Sequence, residues 1–338
     1  MIKIAINGCG RIGKLLIRRL FDMGLGENLI LINEPIGTTE NLANLIEFDS
    51  VHGSWNKRVS AKKGRIRIDR YEIKVRNAAT ISQLKTDISN LDVLIDCSGV
   101  NRELNKINQY LQFGVQKILV SAPIKDKRIL NIVYGVNHEL YDHSKHNIIT
   151  AASCTTNCLA PIVKVLDEKV GIKHGSISTI HNLTNSQTIL DKPSQNIRRS
   201  RSAFNSLVPT TTGSAAAIAL IFPKLEGKLD GHAVRVPVMN ASLTDCVIEM
   251  KSEVSPKQIN AFFKSAAKKE LNGILGYEER ELVSADFVNN PLSSIVDGPS
   301  TMVVNETQLK IYAWYDNEWG YVCRMVDIVK LIEANYEI

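Results

Sequence analysis

At 338 residues, 44% of them hydrophobic and 22% charged, the chain has room for two ordinary domains and the make-up of a soluble globular protein. No apolar run approaches bilayer-spanning length and Met1–Gly8 lacks the organisation of a secretory signal, so the expectation is a cytoplasmic chain with no membrane partner. The formal charge is +6, but the basic residues are scattered without interleaved aromatics, which favours small anionic ligands over nucleic acid.

Through Thr150, short β-branched runs alternate with amphipathic stretches. Strands are predicted at Ile2–Ile6, Leu29–Ile32, Arg65–Ile68, Glu72–Val75, Val93–Asp96, Lys117–Val120 and Ile132–Tyr134. Helices are predicted at Arg11–Met23, Thr39–Phe48 and Arg102–Phe113. This alternation implies a parallel sheet with helices on its faces, and Arg65–Val75 reads as an antiparallel insertion. After Thr150 the pattern changes. A helix is expected to start at Ser153, to kink at Pro161 and to close at Gly171. Strands follow at Gly175–His181, His232–Val236, Ala241–Met250, Leu282–Phe287 and Leu309–Tyr315, with helices at Ser214–Phe222 and Pro256–Lys269. That is a mixed α+β region on a mostly antiparallel sheet. A last amphipathic helix, Trp319–Asn335, is expected to pack back on the first region. The fold class is therefore α/β: residues 1–152 as a Rossmann-type parallel-sheet domain completed by a helix at 318–338, and residues 153–317 as the α+β domain.

Asn7-Gly8-Cys9-Gly10-Arg11-Ile12-Gly13 is a G-x-G-x-x-G turn directly after a strand and opening a helix. Gly8 permits the tight turn, Gly10 lets backbone approach a pyrophosphate, and Gly13 lets helix and strand pack closely. The amides from Arg11 and Ile12 onward then open a helix towards the phosphates. Glu34 ends the next strand, where a carboxylate accepts from both ribose hydroxyls and repels a 2′-phosphate, so NAD is favoured over NADP. Ser98, Gly99 and Ser121 follow predicted parallel strands, at the ends where ligands collect.

Ala152–Cys158 reads A-S-C-T-T-N-C and puts Cys154 at a helix start. The partial positive charge and open N–H groups there are expected to lower the thiol pKa and make it nucleophilic at neutral pH. A nucleotide cofactor and an activated thiolate in one chain, with His181 downstream, point to aldehyde oxidation through a thioester. The six cysteines are thinly spread and the seven histidines show no metal-ligand spacing, so reduced thiols and no structural metal are expected.

Five motifs stand in order: I-N-G-C-G-R-I-G (Ile6–Gly13), S-C-T-T-N-C (Ser153–Cys158), P-T-T-T-G (Pro209–Gly213), R-V-P (Arg235–Pro237) and W-Y-D-N-E-W-G-Y (Trp314–Tyr321). With them the chain resembles phosphorylating, NAD-dependent glyceraldehyde-3-phosphate dehydrogenase over essentially its whole length. The resemblance implies Cys154 as nucleophile and His181 as its base and ion-pair partner. It implies Thr184 and Arg235 on the substrate phosphate. Ser153, Thr155, Thr212, Gly213 and one or both of Arg198 and Arg201 would hold inorganic phosphate. Asn317 would hold the nicotinamide carboxamide, and Tyr321 would pack on the ring. It implies a homotetramer with Lys192–Arg201 as a loop near a neighbouring cofactor.

Four positions depart from the commonest pattern of that family: Cys9, Glu34 for Asp, Ser186 for Asp or Thr, and Lys192 before Pro193. Lys192 could attract a 2′-phosphate, which leaves dual cofactor use open. His181–Asn185 and Gly273–Glu279 also resemble the arsenic-resistance-associated variant, which uses arsenate as the attacking oxyanion. Asn33-Glu34 is shared with erythrose-4-phosphate dehydrogenases, whereas Thr211–Gly213 argues against them.

Overall fold

The computed structural model describes residues 1–336, leaving aside the side chains of Ala215 and Ala216. The two terminal residues of the helix expected at 318–338 lie outside the described residues. The chain divides into two compact units. The first comprises Met1–Tyr134, His138–Ala152 and the chain from Val322; the second comprises Gly135–Asn137 and Ser153–Tyr321.

The first unit opens with β1 (Ile4–Asn7), α1 (Arg11–Asp22), β2 (Leu29–Asn33) and α2 (Thr39–Glu47). The small pair β3 (Phe48–Asp49) and β4 (Gly53–Ser54) is followed by β5 (Val59–Lys62), β6 (Arg65–Ile68) and β7 (Tyr71–Arg76). Then come α3 (Lys85–Ile88), β8 (Val93–Asp96), α4 (Leu104–Gln112), β9 (Lys117–Val120), β10 (Leu130–Asn131) and β11 (Ile148–Thr150). Nine strands form one sheet in the order β10-β11-β9-β8-β1-β2-β7-β6-β5. Strands β1, β8 and β9 are buried at every position, which is why they read as continuous apolar runs. Pairing is parallel from β10 through β7, whereas β5–β6 and β6–β7 are antiparallel. The Arg65–Val75 hairpin thus extends the sheet at its edge. β10 lies just ahead of the expected Ile132–Tyr134 strand. The ladder with β11 runs on only as far as Ile132, whose N–H bonds Thr150 O at 2.8 Å before Gly135 turns away at φ +87°.

The second unit contains α5 (Cys154–Lys169), β12 (Ile172–His181), β13 (Val208–Thr211), α6 (Ser214–Ile221), β14 (Leu229–Arg235) and β15 (Ser242–Met250). It continues with α7 (Pro256–Lys268), β16 (Leu275–Glu278), β17 (Ser294–Asp297), β18 (Met302–Val304), β19 (Gln308–Tyr315) and the start of α8 (Trp319–Ala334). The main sheet order is β13-β14-β12-β15-β19-β17-β16, mostly antiparallel, with β12–β14 and β16–β17 parallel. Strand β15 alternates buried and half-buried residues along its whole length, as a sheet with one covered face requires. Helix α5 runs on through Pro161, and Gly171 at φ +86° ends it with its N–H on Leu166 O. The predicted strand Leu282–Phe287 is instead a 3₁₀ turn at Ser284–Phe287. Its apolar residues do not alternate into a sheet face: Phe287 stacks on Trp314 while Val283 is exposed. From Val322, α8 belongs to the first unit and buries Val322, Met325, Val326, Val329 and Ile332.

Candidate active site

In the first unit the glycine loop is steric before it is anything else. Gly8 sits at φ +91°, and a Cβ there would lie 2.5 Å from Ser98 Cα. A Cβ on Gly13 would lie 2.0 Å from Gly8 O. Gly10, the N-cap of α1, has open space around its Cβ position, as has Gly99 at φ +74°. The loop is therefore closed on its packed side and open on the other, with the α1 amides from Arg11 and Ile12 at the helix start. Asp96, at the end of β8, holds the next turn by accepting from the Ser98 N–H and hydroxyl, Asn101 and Tyr110. Ser121 donates its N–H to Asp96 O. Glu34 ends β2, and its carboxylate accepts from Cys9 N (2.7 Å) and Ile36 N (3.1 Å). The Arg11 side chain is committed to Asp49, so Arg11 offers its backbone here. Such a cradle fits a dinucleotide pyrophosphate and ribose.

In the second unit Ser153 caps α5 by accepting the Thr156 N–H at 3.1 Å. Ala152 just before it holds φ +53°, a conformation an alanine adopts only at a cost, and turns the chain sharply into the helix. Cys154 is thus the first helical residue, with the N–H groups of Cys154 and Thr155 and the Thr155 hydroxyl turned to its sulfur. His181 is the last residue of β12. The β12–β14 register sets Arg235 opposite His181, and β15–β19 pairing sets Tyr315 opposite Ser242. His181 Nε2 lies 3.7 Å from Cys154 Sγ. Its Nδ1 lies 3.0 Å from Asn182 O and also meets a guanidinium N–H; in the tautomer with the proton on Nδ1, donating to that carbonyl, the Nε2 lone pair faces the sulfur. Arg235 Nη1 donates to the same carbonyl at 3.1 Å and touches Nδ1. Tyr315 meets the imidazole edge-on and bonds Thr155 Oγ1 through its hydroxyl at 2.9 Å.

The electrostatics correct the expectation of a lowered thiol pKa. Burial raises the Cys154 thiol, outweighing Arg235 and the helix-start donors that pull it down. Burial, then Arg235, holds His181 down to about 3. Burial thus biases the thiol, and burial with Arg235 the imidazole, toward the neutral form.

The hydroxyls and arginines divide. Ser153 Oγ lies 3.4 Å from Ser214 Oγ, which accepts from Thr212 at 3.1 Å, next to Gly213 at the α6 N-cap. Thr184 pairs with Ser186 at 2.8 Å. Arg198 and Arg201 are exposed, and Arg201 is paired with Asp191. Arg199 instead turns inward, donates to Thr210 at 2.9 and 3.1 Å, and acts electrostatically on Arg235. A 3₁₀ turn at Arg198–Ser200 explains the choice: three residues per turn put 198 and 201 on one side and 199 on another. Within R-R-S-R the sequence carries no signal that separates them. Asn317 and Tyr321 are buried, and Asn317 Oδ1 accepts from Ser242. Sequence reasoning passed over Ser242 and Tyr315, which read as ordinary strand residues.

Two family models match. Residues 2–104 fit the glyceraldehyde 3-phosphate dehydrogenase NAD binding domain, and residues 153–317 fit the C-terminal domain of the same family. Glyceraldehyde-3-phosphate dehydrogenase 3 of Nostoc sp. is 50% identical over 98% of both chains. The chain belongs to the glyceraldehyde-3-phosphate dehydrogenase family. Glyceraldehyde-3-phosphate dehydrogenase 1 of Bacillus cereus is 45% identical over 97% of both chains. Glyceraldehyde-3-phosphate dehydrogenase 2 of Bacillus subtilis is 41% identical over 98% of this chain and 97% of its own. Of the two matched stretches, the first holds Gly8–Glu34, Ser98 and Gly99; the second holds the thiol site from Ser153 to Asn317. No helix among the described residues is long and apolar enough to cross a membrane.

Proposed function

We propose that this chain oxidises D-glyceraldehyde 3-phosphate with NAD and inorganic phosphate to 1,3-bisphosphoglycerate and NADH. The observation that carries the reading is the 3.7 Å approach of Cys154 Sγ and His181 Nε2 at a capped helix start, with Arg235 beside them. Residues 1–152 with the C-terminal helix form the NAD-binding domain and 153–317 the catalytic domain. NAD, when bound, supplies the hydride acceptor. The loop of Gly8, Gly10, Arg11, Ile12 and Gly13 would cradle its pyrophosphate, Glu34 would hold its ribose, Ser98, Gly99 and Ser121 at neighbouring strand ends would line the site, and Asn317 and Tyr321 would hold the nicotinamide.

Because burial biases both groups toward neutral, the attack is base-assisted. Nε2 takes the thiol proton as sulfur adds to the aldehyde carbon, and the forming oxyanion meets the Cys154 N–H. Nε2 returns that proton to the oxyanion, giving the hemithioacetal hydroxyl, and takes it back as the carbon gives up its hydride to the acceptor NAD would supply and the carbonyl re-forms as a thioester. Phosphate adds to that carbonyl, the C–S bond breaks, and the departing sulfur takes the Nε2 proton, which regenerates thiol and neutral imidazole with release of the acyl phosphate. Arg235 and Thr184 hold the substrate phosphate, and Ser153, Thr155, Thr212 and Gly213 hold the attacking oxyanion, joined by the inward-turned Arg199 rather than by the exposed Arg198 and Arg201. The protein is proposed to be a cytoplasmic homotetramer; in support of self-association alone, Ile189, Leu190, Ile197, Phe204 and Leu207 are exposed along one loop, an apolar surface that another copy would cover.

The deciding experiment follows NADH absorbance with purified protein. Glyceraldehyde 3-phosphate, NAD and phosphate are expected to give the highest kcat/KM. Erythrose 4-phosphate, NADP and arsenate are run alongside. A higher value with NADP or with the four-carbon aldehyde overturns that part of the assignment. Failure to form NADH with any combination overturns the whole.

A further inference from the structure

We propose that Ser242 is a positioning residue that fixes which way the Asn317 side-chain amide points and ties that orientation to the backbone of the catalytic histidine. The inference rests on the reading of Asn317 as the holder of the nicotinamide carboxamide.

Ser242 is the first residue of β15, and its register partner across the sheet is Tyr315, two positions before Asn317. Its hydroxyl has two partners with different obligations. The N–H of Asn182, the residue after His181, can only donate, and it reaches Ser242 Oγ at 3.2 Å. Ser242 is therefore an acceptor there, and its own proton is left for Asn317, 2.9 Å away. Asn317 Oδ1 is the acceptor within reach of that proton among the described residues, so the Asn317 atom facing Ser242 is Oδ1 and the NH₂ faces the other way. Oxygen and nitrogen of an amide have almost the same shape, so packing alone does not choose between them. The hydrogen-bond chain does. The outward NH₂ has no partner among the described residues and is fitted to donate to a carboxamide oxygen. Ser242, Asn182 and Asn317 are all buried, which keeps water from substituting for the hydroxyl. The turn does not depend on Ser242. Asp316 accepts from Asn240, Asn289, Glu318 and Trp319, and so holds the backbone around Asn317 by itself. Removing the hydroxyl should free the amide to flip without unfolding the turn.

The test measures equilibrium binding of NAD and of ADP-ribose, which lacks nicotinamide, to wild type, Ser242→Ala and Asn317→Ala by calorimetry. Ser242→Ala is expected to weaken NAD about five- to tenfold, the loss of one oriented hydrogen bond, and to leave ADP-ribose unchanged. Equal weakening of both ligands would mean that Ser242 only supports the fold, and would overturn the proposal. NAD binding lost in Asn317→Ala but intact in Ser242→Ala would overturn the role of Ser242 while keeping that of Asn317. NAD binding intact in Asn317→Ala would overturn the reading on which the proposal rests.

Discussion

The glycine cradle of the first unit and the thiol site of the second are built from opposite materials. The cradle is one contiguous stretch plus the ends of neighbouring parallel strands. Its working groups are backbone amides, and its side-chain requirement is mostly that there be none. Gly13 is needed because a Cβ would sit 2.0 Å from a carbonyl oxygen. The thiol site gathers Cys154 from a helix start, His181 and Arg235 from the ends of paired strands, and Tyr315 from a third strand. Each is a side chain, and each is kept in its less solvated, neutral or charge-coupled state by burial. The first unit recognises by shape. The second sets protonation states, and Arg235 couples them: the same guanidinium pulls the thiol down and the imidazole down.

Breaking the second kind of site costs most. Cys154→Ser is expected to lower kcat by more than ~10⁴-fold with NAD binding retained, read by steady-state rates and calorimetry. Residual turnover near wild type would remove the sulfur from the mechanism. His181→Asn should cost about 10²–10⁴-fold, since it deletes the proton acceptor and leaves the nucleophile.

That variant also sharpens the contrast in protonation. Folded His181 stays neutral down to about 3, against an ordinary value of 6.5. Between these values the unfolded chain binds a proton that the folded chain refuses, so His181 makes the fold less stable as pH falls through that window. Thermal melts of His181→Asn should therefore lose less stability than wild type between pH 6.5 and 4. Parallel slopes would mean that the imidazole is charged in the fold.

Gly13→Ala attacks the cradle. The loop must shift to admit the methyl, and NAD affinity should drop at least ~10-fold while alkylation of Cys154 by iodoacetamide proceeds at the wild-type rate. Altered alkylation would show that the substitution disturbs more than the cradle. The smallest effect separates the arginines. Arg199→Ala should raise the KM for phosphate ~10-fold. Arg201→Ala, which loses only its exposed pair with Asp191, should leave it within about twofold.

Much of this was legible in one dimension. Gly8, Gly10 and Gly13 could be assigned because a turn between a buried strand and a helix places chain neighbours together; local sterics suffices. The start of α5 was legible for the same reason, since Ser153 caps its own helix. Other features resisted. The apolar stretch Leu282–Phe287 looked like a strand because apolar residues mark burial without marking which element delivers it; Phe287 is buried by stacking on Trp314 from a turn. Four residues of R-R-S-R give no local reason to prefer Arg199.

By itself, the sequence determined what depends on chain neighbours: the glycine turn, the helix cap under Cys154, the strand alternation and the family motifs. Tertiary structure alone decided what depends on register and burial. The pairing of β12 with β14 sets Arg235 beside His181, and the pairing of β15 with β19 sets Ser242 beside Asn317. Burial then pushed the thiol pKa up, against the expectation from its helix start, and the imidazole pKa down, because desolvation is a property of the packed surroundings and not of the residue.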